Sequence, residues 1–172
     1  LAGFVVLGCA LLFGGSDTQS GGTPAGASAW TPIGPYGGFV HGLARNWKYP
    51  NEIYVTVGSD PAQIFRSTNE ANTWTRAVIV QDSIIDIAVD PGSADVLYAY
   101  GKTKLYRSSD RGATFSDEIP LPDGFRGFEG RIAVLPSNPK TIFLAGSFMT
   151  SLSAWTFCPA VAKTEDGGIT WA

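Results

Sequence analysis

Two aspartates, Asp110 and Asp166, stand in almost the same short sequence and are the first residues to consider for chemistry. Each lies two positions after a serine or threonine and two positions before a glycine. A carboxylate can act as a general acid or base, or bind calcium. An aspartate at the start of a turn also accepts hydrogen bonds from backbone N–H groups two or three residues on, and glycine supplies the positive φ that such a turn needs. The spacing therefore favours a turn-forming role over a catalytic or calcium-binding one.

The remaining residue types that could carry chemistry are isolated. His41 is the single histidine, and no serine or cysteine motif accompanies it, so we expect an ordinary strand or turn residue. The two cysteines, Cys9 and Cys158, lack metal-ligand spacing and have no obvious disulfide pairing. We expect Cys158 to be a small buried apolar residue. The sequence contains no glycine-rich phosphate loop or haem-attachment motif, and it predicts no catalytic residue, metal ligand or cofactor.

The turn sequence around the two aspartates occurs three times. Residues 108–115 and 164–171 match closely, and residues 67–74 match more loosely, with Asn69 in place of aspartate and Ala71 in place of glycine. Written as Ser/Thr-x-Asp-x-Gly-x-Thr-Trp/Phe, the pattern resembles the Asp-box (BNR) repeat of sialidase-like and photosystem-assembly-factor-like β-propellers. In that family the box lies at the blade periphery, away from the axis where substrates bind. The resemblance therefore implies structural roles for Ser67, Asn69, Trp74, Ser108, Asp110, Gly112, Phe115, Thr164, Asp166, Gly168 and Trp171.

The elements that position these turns have the pattern of short strands. Apolar residues come in bursts bounded by glycine, proline, asparagine and aspartate, and no useful helical periodicity follows the N-terminal run. Ala44, Ala88 and Ala133 hold equivalent places about 44 residues apart, and four strands in that interval are typical of a propeller blade. The sequence predicts an all-β fold of four-stranded antiparallel blades over 30–172, with three repeats visible. Since propellers have about four to eight blades, we expect a truncated part of a longer propeller, or a short protein whose blade edges a partner covers.

The N-terminal residues predict export or membrane attachment. Residues 1–15 are almost wholly apolar, and residues 16–29 form a linker rich in glycine, serine, threonine and proline. The apolar run is shorter than the roughly twenty residues that span a bilayer. The stretch before Cys9 resembles a bacterial lipobox, with an imperfect leucine at the second position, which would make Cys9 a lipidation site. An uncleaved anchor, a lipoprotein signal and a cleavable signal stay open, and all three place residues 30–172 on the periplasmic or extracellular side.

Net charge and residue types bear on two classes of function, nucleic acid binding and glycoside hydrolysis. A formal net charge of −3, without a block of lysine or arginine, gives no reason to expect a nucleic acid partner. Glycoside hydrolysis, which the sialidase-like branch implies, requires carboxylates across the glycosidic bond or a Tyr–Glu pair, with arginines to hold a substrate carboxylate. Only residues 123–131 contain suitable types locally. We interpret them as a surface loop with Arg–Glu pairing between the second and third repeats.

The third repeat carries an insertion rich in aromatic residues, at 146–159. Its residues Phe148, Met149, Trp155 and Phe157 are candidate partner contacts on an exposed loop, or they cover the local blade edge. The sequence thus favours a non-enzymatic, membrane-anchored subunit that docks on the extracytoplasmic face of a membrane protein complex, as the resemblance to photosystem assembly factors implies. The alternatives are an exo-glycosidase or sialidase whose catalytic residues lie outside these repeats, and a carbohydrate-binding surface propeller.

Overall fold

The computed structural model describes residues 33–58, 60–151 and 156–172. The predicted apolar segment 1–15, the linker 16–29 and Cys9 lie outside the described residues, as does Trp155. The described residues form no helix, and so none of them belongs to an apolar helix that could cross a membrane. They form β1 (Val40–Arg45), β2 (Ile53–Val57), β3 (Ala62–Ser67), β4 (Thr75–Val80), β5 (Ile84–Val89), β6 (Leu97–Gly101), β7 (Lys104–Ser108), β8 (Asp117–Pro120), β9 (Phe125–Val134), β10 (Ile142–Ser151) and β11 (Thr156–Thr164).

The strands form three antiparallel sheets, each made of strands that are consecutive in the sequence. Blade 1 has the order β1-β2-β3-β4, blade 2 has β5-β6-β7-β8, and blade 3 has β9-β10-β11. The two four-stranded sheets confirm the predicted all-β fold and the predicted blade. In blade 3, Lys163 and Ala172 exchange both backbone hydrogen bonds after the turn. These two residues hold the same positions in blade 3 as Arg66 and Thr75 hold in blade 1, where they are the first pair between β3 and β4 after the turn.

Apolar side chains from the faces of adjacent sheets form the core between the blades. One buried cluster lies between blades 1 and 2, and a second lies between blades 2 and 3. Burying such side chains is the main favourable contribution to folding, at about 1.5–3 kcal/mol for each large one. The first cluster includes Tyr54, Ile64, Ile84, Ile87 and Leu97, and the second includes Tyr100, Leu105, Phe125, Ile142 and Leu144.

The first strand of each blade, β1, β5 and β9, packs beside the first strand of the next. We call these the inner strands. A Cβ atom at Gly42 of β1 would lie only 2.7 Å from the Cα atom of Asp86 in β5. The Asp86 carboxylate accepts the backbone N–H of Ile132 in β9 at 3.1 Å and that of Ile87 at 3.0 Å. Strand β5 is therefore fixed on one side by close backbone packing and on the other by a hydrogen bond.

Three glycines of blade 3 make room for the side chain of Tyr100 in β6. A Cβ atom at Gly127, Gly130 or Gly146 would lie 2.8 to 3.0 Å from an atom of that side chain. Tyr100 is fully buried, and its hydroxyl donates to the carbonyl oxygen of Ala145 at 2.9 Å. Burial raises the pKa of Tyr100, so the hydroxyl keeps its proton and continues to donate.

Two predicted loops of the third repeat are strands instead. Residues 123–131, interpreted as a surface loop, contribute most of β9, and the insertion at 146–159 lies largely in β10 and β11. Two glycines of this stretch, Gly127 and Gly130, face Tyr100. The arginines Arg126 and Arg131 donate to the carbonyl oxygens of the residues before them. The prediction that 123–131 is a loop between repeats was wrong, because the inner strand of blade 3 already begins at Phe125.

The predicted burial of Cys158 is also wrong. Cys158 is a free, exposed cysteine on β11, directly opposite Phe148 of β10. Its strand is the outermost of the three strands in its sheet, so one of its long edges has no strand beside Cys158 among the described residues.

We expect Gly42→Ala to destabilise the protein by about 1–3 kcal/mol, because the added methyl group would press on the backbone of β5. The matched control is Leu43→Ala on the same strand, where the side chain is 64% exposed and the expected change is within about 0.5 kcal/mol. Urea unfolding of the full chain measures both free energies. Equal losses in the two variants would contradict the close approach of the inner strands.

Candidate functional site

The three repeated turns are organised by a buried hydroxyl group. Ser108 Oγ donates to Asp110 Oδ1 at 2.7 Å and accepts the N–H of Gly112 at 2.9 Å. Ser67 and Thr164 make the same two bonds in the other copies. In every copy, the two residues after the aspartate or asparagine have positive φ, between 58° and 98°. The looser first copy thus keeps the geometry of the turn, although it has no glycine there.

The aspartate side chains close the turns. Asp110 accepts the N–H of Thr114 at 2.9 Å and its hydroxyl at 2.5 Å, and Asp166 accepts the same groups of Thr170 at 2.9 and 2.6 Å. These threonine donors, with the preceding hydroxyl, lower the pKa of both carboxyl groups. A carboxylate held in the ionised form by its own turn is poorly suited to transfer protons at neutral pH. The structural role of the boxes stays a prediction, and this geometry supports it.

The aromatic residue that ends each box contacts the part of the chain before its own blade. Trp74 Nε1 donates to the carbonyl oxygen of Ile33 at 2.9 Å, and Trp171 Nε1 donates to that of Pro120 at 3.1 Å. Pro120 is the last residue of the outer strand of blade 2. Phe115 packs instead against the apolar cluster between blades 1 and 2. Each box therefore fastens its blade to the preceding segment.

A hollow of about 620 Å³ lies at the beginning of the inner strands, and we call it the axial hollow. Its wall is apolar, with three residues of basic type, His41, Lys102 and Arg131. None of the described residues that line it is acidic. The structure thus brings His41 and Arg131 together, which the sequence did not indicate. The lining comprises Val40, His41, Ser83, Ile84, Ile85, Lys102, Gly127, Phe128 and Arg131.

Aromatic rings of blade 3 extend this surface. Phe128 is 40% exposed, and its ring meets that of Phe157 edge-on, with centroids 5.2 Å apart. The ammonium group of Lys102 lies 5.2 Å from the centroid of the Phe128 ring. Among the candidate partner contacts, Phe157 therefore adjoins the axial hollow. Phe148 is exposed and lies against Gly124 instead, and Met149 is half-buried.

Metal ligation finds no support in the part of the chain that the structure describes. No group of three histidine, cysteine, aspartate or glutamate residues there is close enough to hold a metal ion. His41 stands exposed on β1. The arrangement at the hollow is suited to binding by charge and apolar contact.

Sequence reasoning missed a buried acid, Glu52, which lies between blades 1 and 2 and is 2% exposed. Its carboxylate accepts bonds from the hydroxyl of Tyr54 at 2.6 Å, from Arg66 Nε, and from Arg111 Nη2 at 2.7 Å. We call these four residues the Glu52 cluster. Burial alone would raise the pKa of Glu52, but the hydrogen bonds from Tyr54 and Arg111 and the charge of Arg66 lower it. The sole signal in the sequence was an acid directly before a strand, where the other repeats have Val96 and Thr141.

We expect Asp110→Ala to destabilise the protein by about 1 kcal/mol at pH 7, because the turn loses its side-chain acceptor. Asp110→Asn should cost less, since Asn69 fills the same place in the first box and accepts the N–H of Thr73 at 2.9 Å. The folded state lowers the pKa of Asp110 below the unfolded value of about 3.9. The stabilisation is therefore fully present above the unfolded pKa and is lost as the pH falls from there through the lower pKa of the folded state.

Thermal unfolding between pH 3 and 7 measures this difference. The deficit of the alanine variant relative to the wild type should shrink towards pH 3. A deficit that does not change with pH would show that the ionised carboxylate does not stabilise the turn.

The sequence matches no protein-family model and no curated protein. The structure is similar to that of the GH74 enzyme of Niastella koreensis, with a TM-score of 0.59 and 23% identity, and to that of the GH74 xyloglucanase of Xanthomonas campestris, with 0.60 and 19%. It is also similar to YCF48 from Cyanidioschyzon merolae, with 0.54 and 18%, and to YCF48 bound to a D1 peptide, with 0.53 and 15%.

Each match covers 77% of this chain. The chain spans 22% and 23% of the two GH74 proteins, and 38% and 39% of the two YCF48 chains. These similarities show the fold, which is that of β-propeller blades forming part of a propeller. They confirm the propeller part of the resemblance seen in the sequence.

Proposed function

We propose that the chain is a non-enzymatic interaction module that binds a segment of a partner protein at the axial hollow. The observation that carries the proposal is the lining of the hollow, where basic residues and the exposed ring of Phe128 surround an apolar wall, with no acid among the described residues. Such a surface binds through burial of apolar groups and through charge pairing, and it needs no reaction chemistry. We further propose that the partner is a membrane protein complex on the extracytoplasmic face.

Two points support a peptide-like ligand. A protein of the same fold, YCF48, has a structure with a D1 peptide bound. The hollow is also pre-organised, because Asp86 and Gly42 fix the three inner strands that form its wall. A rigid surface loses little conformational entropy when it binds. The proposed location relies on the apolar run 1–15 and on Cys9, which lie outside the described residues.

A glycosidase is the second candidate, because the GH74 enzymes share the fold. Hydrolysis of a glycosidic bond requires two carboxyl groups, in most families about 5 to 9.5 Å apart across the bond. Asp86 on the inner strand β5 is the acid to consider, and burial raises its pKa against the effect of its N–H donors Ile132 and Ile87. Its carboxylate is engaged between two strands, and the part of the lining that the structure describes provides no second carboxyl group. The described residues therefore support binding better than hydrolysis.

We expect reversal of charge in the hollow, by Lys102→Glu together with Arg131→Glu, to weaken binding to a detergent-solubilised membrane complex by about tenfold or more. The control is Arg76→Glu on the outer strand β4, where the side chain is exposed and is not part of the lining. Pull-down of the complex with purified full-length protein, quantified over a concentration series, measures the effect. Binding that is equally strong in all variants, or absent with the wild type, would contradict docking at the hollow.

We expect the full-length protein to show no turnover of a fluorogenic sialoside or of xyloglucan oligosaccharides above the uncatalysed rate. Release of fluorophore or of reducing sugar is the measurement. Hydrolysis that is abolished by Asp86→Asn in a protein that still folds would establish the glycosidase instead.

A further inference from the structure

We infer that the Glu52 cluster and the threonines of the first box form a second site, which binds a small oxyanion such as a carboxylate, sulfate or phosphate group. A cavity of about 280 Å³ lies beside the cluster. Apart from two alanines, it is lined by Arg66, Thr68, Thr73, Thr75 and Arg111. None of these residues lines the axial hollow, so the inference does not depend on the proposed function.

The charges around this cavity favour an anion. One carboxylate, that of Glu52, faces the guanidinium groups of Arg66 and Arg111. A second carboxylate, that of Asp95, has an oxygen 3.7 Å from Arg111 Nε, but its side chain is 58% exposed. Water and salt screen such an exposed ion pair. The described lining itself contains two arginines and no acid, so the groups that face the cavity are positively charged.

The hydrogen-bond donors of the two arginines are only partly used. Each guanidinium group has five N–H donors, and Glu52 takes one from each arginine. The Nε atom of Arg111 is buried and has no hydrogen-bond acceptor in the described structure. The guanidinium of Arg111 lies over the ring of Tyr49, with Cζ 4.3 Å from the centroid. The cluster thus holds the arginines in place before a ligand arrives, which favours bidentate binding of an oxyanion.

The asparagine that replaces the aspartate in the first box also favours binding of an anion. In the other two boxes, the hydroxyl groups of Thr114 and Thr170 donate to an aspartate. In the first box, Asn69 Nδ2 donates to Thr73 Oγ1 at 2.9 Å instead. The hydroxyl proton of Thr73 is therefore free to be donated elsewhere. Asparagine also removes the negative charge that an aspartate would place beside the cavity.

The interface between blades 2 and 3 shows that the fold does not require two arginines here. Val96 stands in the place of Glu52, and Gly167 stands in the place of Arg111. Arg107, which corresponds to Arg66, pairs with Asp117 at 3.1 Å. The cavity that Arg107 and Gly167 line there has two acids in its lining, Asp90 and Asp166. The pair of arginines on one buried acid is therefore particular to the first interface.

The test is a titration of the full-length protein with sodium sulfate and, separately, with sodium acetate at low ionic strength, followed by the Nε–Hε NMR signals of its arginines. We expect saturable shifts of the Arg66 and Arg111 signals. Tighter binding of sulfate would indicate a sulfate or phosphate ligand, and tighter binding of acetate would indicate a carboxylate. Absence of saturable shifts with both salts would overturn the inference, as would shifts spread equally over all arginines.

Two variants test which residues make the site. Asn69→Asp restores the pattern of the other boxes, so it should fold, yet we expect it to weaken binding about tenfold or more because the hydroxyl of Thr73 is consumed and a charge is added. Arg66→Gln should weaken binding to a similar extent. The matched control is Arg107→Gln, which makes the same change of charge at the second interface and should leave the affinity unchanged. Equal affinities of Asn69→Asp and the wild type would overturn the assignment, even if the arginine variants are unstable.

Discussion

The close approach of neighbouring sheets is the constraint on which the rest of the structure depends. Sheets normally pack about 10 Å apart, but the inner strands come closer, and this is possible only where a side chain is missing. Gly42 lets β1 reach the backbone beside Asp86, and the glycines of blade 3 admit the ring of Tyr100. The apolar clusters fill the wider parts of each interface. The axial hollow and the Glu52 cluster both lie where side chains of different blades meet.

Hydrogen bonds of buried polar groups at these interfaces fix the relative orientation of neighbouring blades as well as the distance between them. Asp86 bridges two inner strands, Tyr100 donates to blade 3, and Glu52 receives donors from two blades. An unpaired buried carboxylate would cost several kcal/mol, so these groups tolerate little change in how the blades are placed. The same contacts fix the backbone of the inner strands, from which most side chains of the hollow project.

The sequence predicted the fold well where one local signal decided the structure. Each box has a hydroxyl, a carboxylate or amide and two left-handed residues within five positions, and such a turn forms from its own residues. The strands were also visible, because short apolar runs alternate with turns. The prediction failed at 123–131 because the inner strand of blade 3 is longer than those of the other blades and begins earlier than the repeat spacing indicated. It failed at Cys158 because burial depends on the neighbouring sheet. The hollow and the Glu52 cluster join residues such as Glu52 and Arg111, which lie far apart in the sequence. A single sequence contains no local signal for such pairs.

The indole nitrogens that end the first and third boxes have an evolutionary consequence. In these two units the donor that attaches the blade belongs to the box itself, while the acceptor is only a main-chain carbonyl. A main-chain carbonyl is present whatever the side chain, so the side chains of the preceding segment can change without loss of this hydrogen bond.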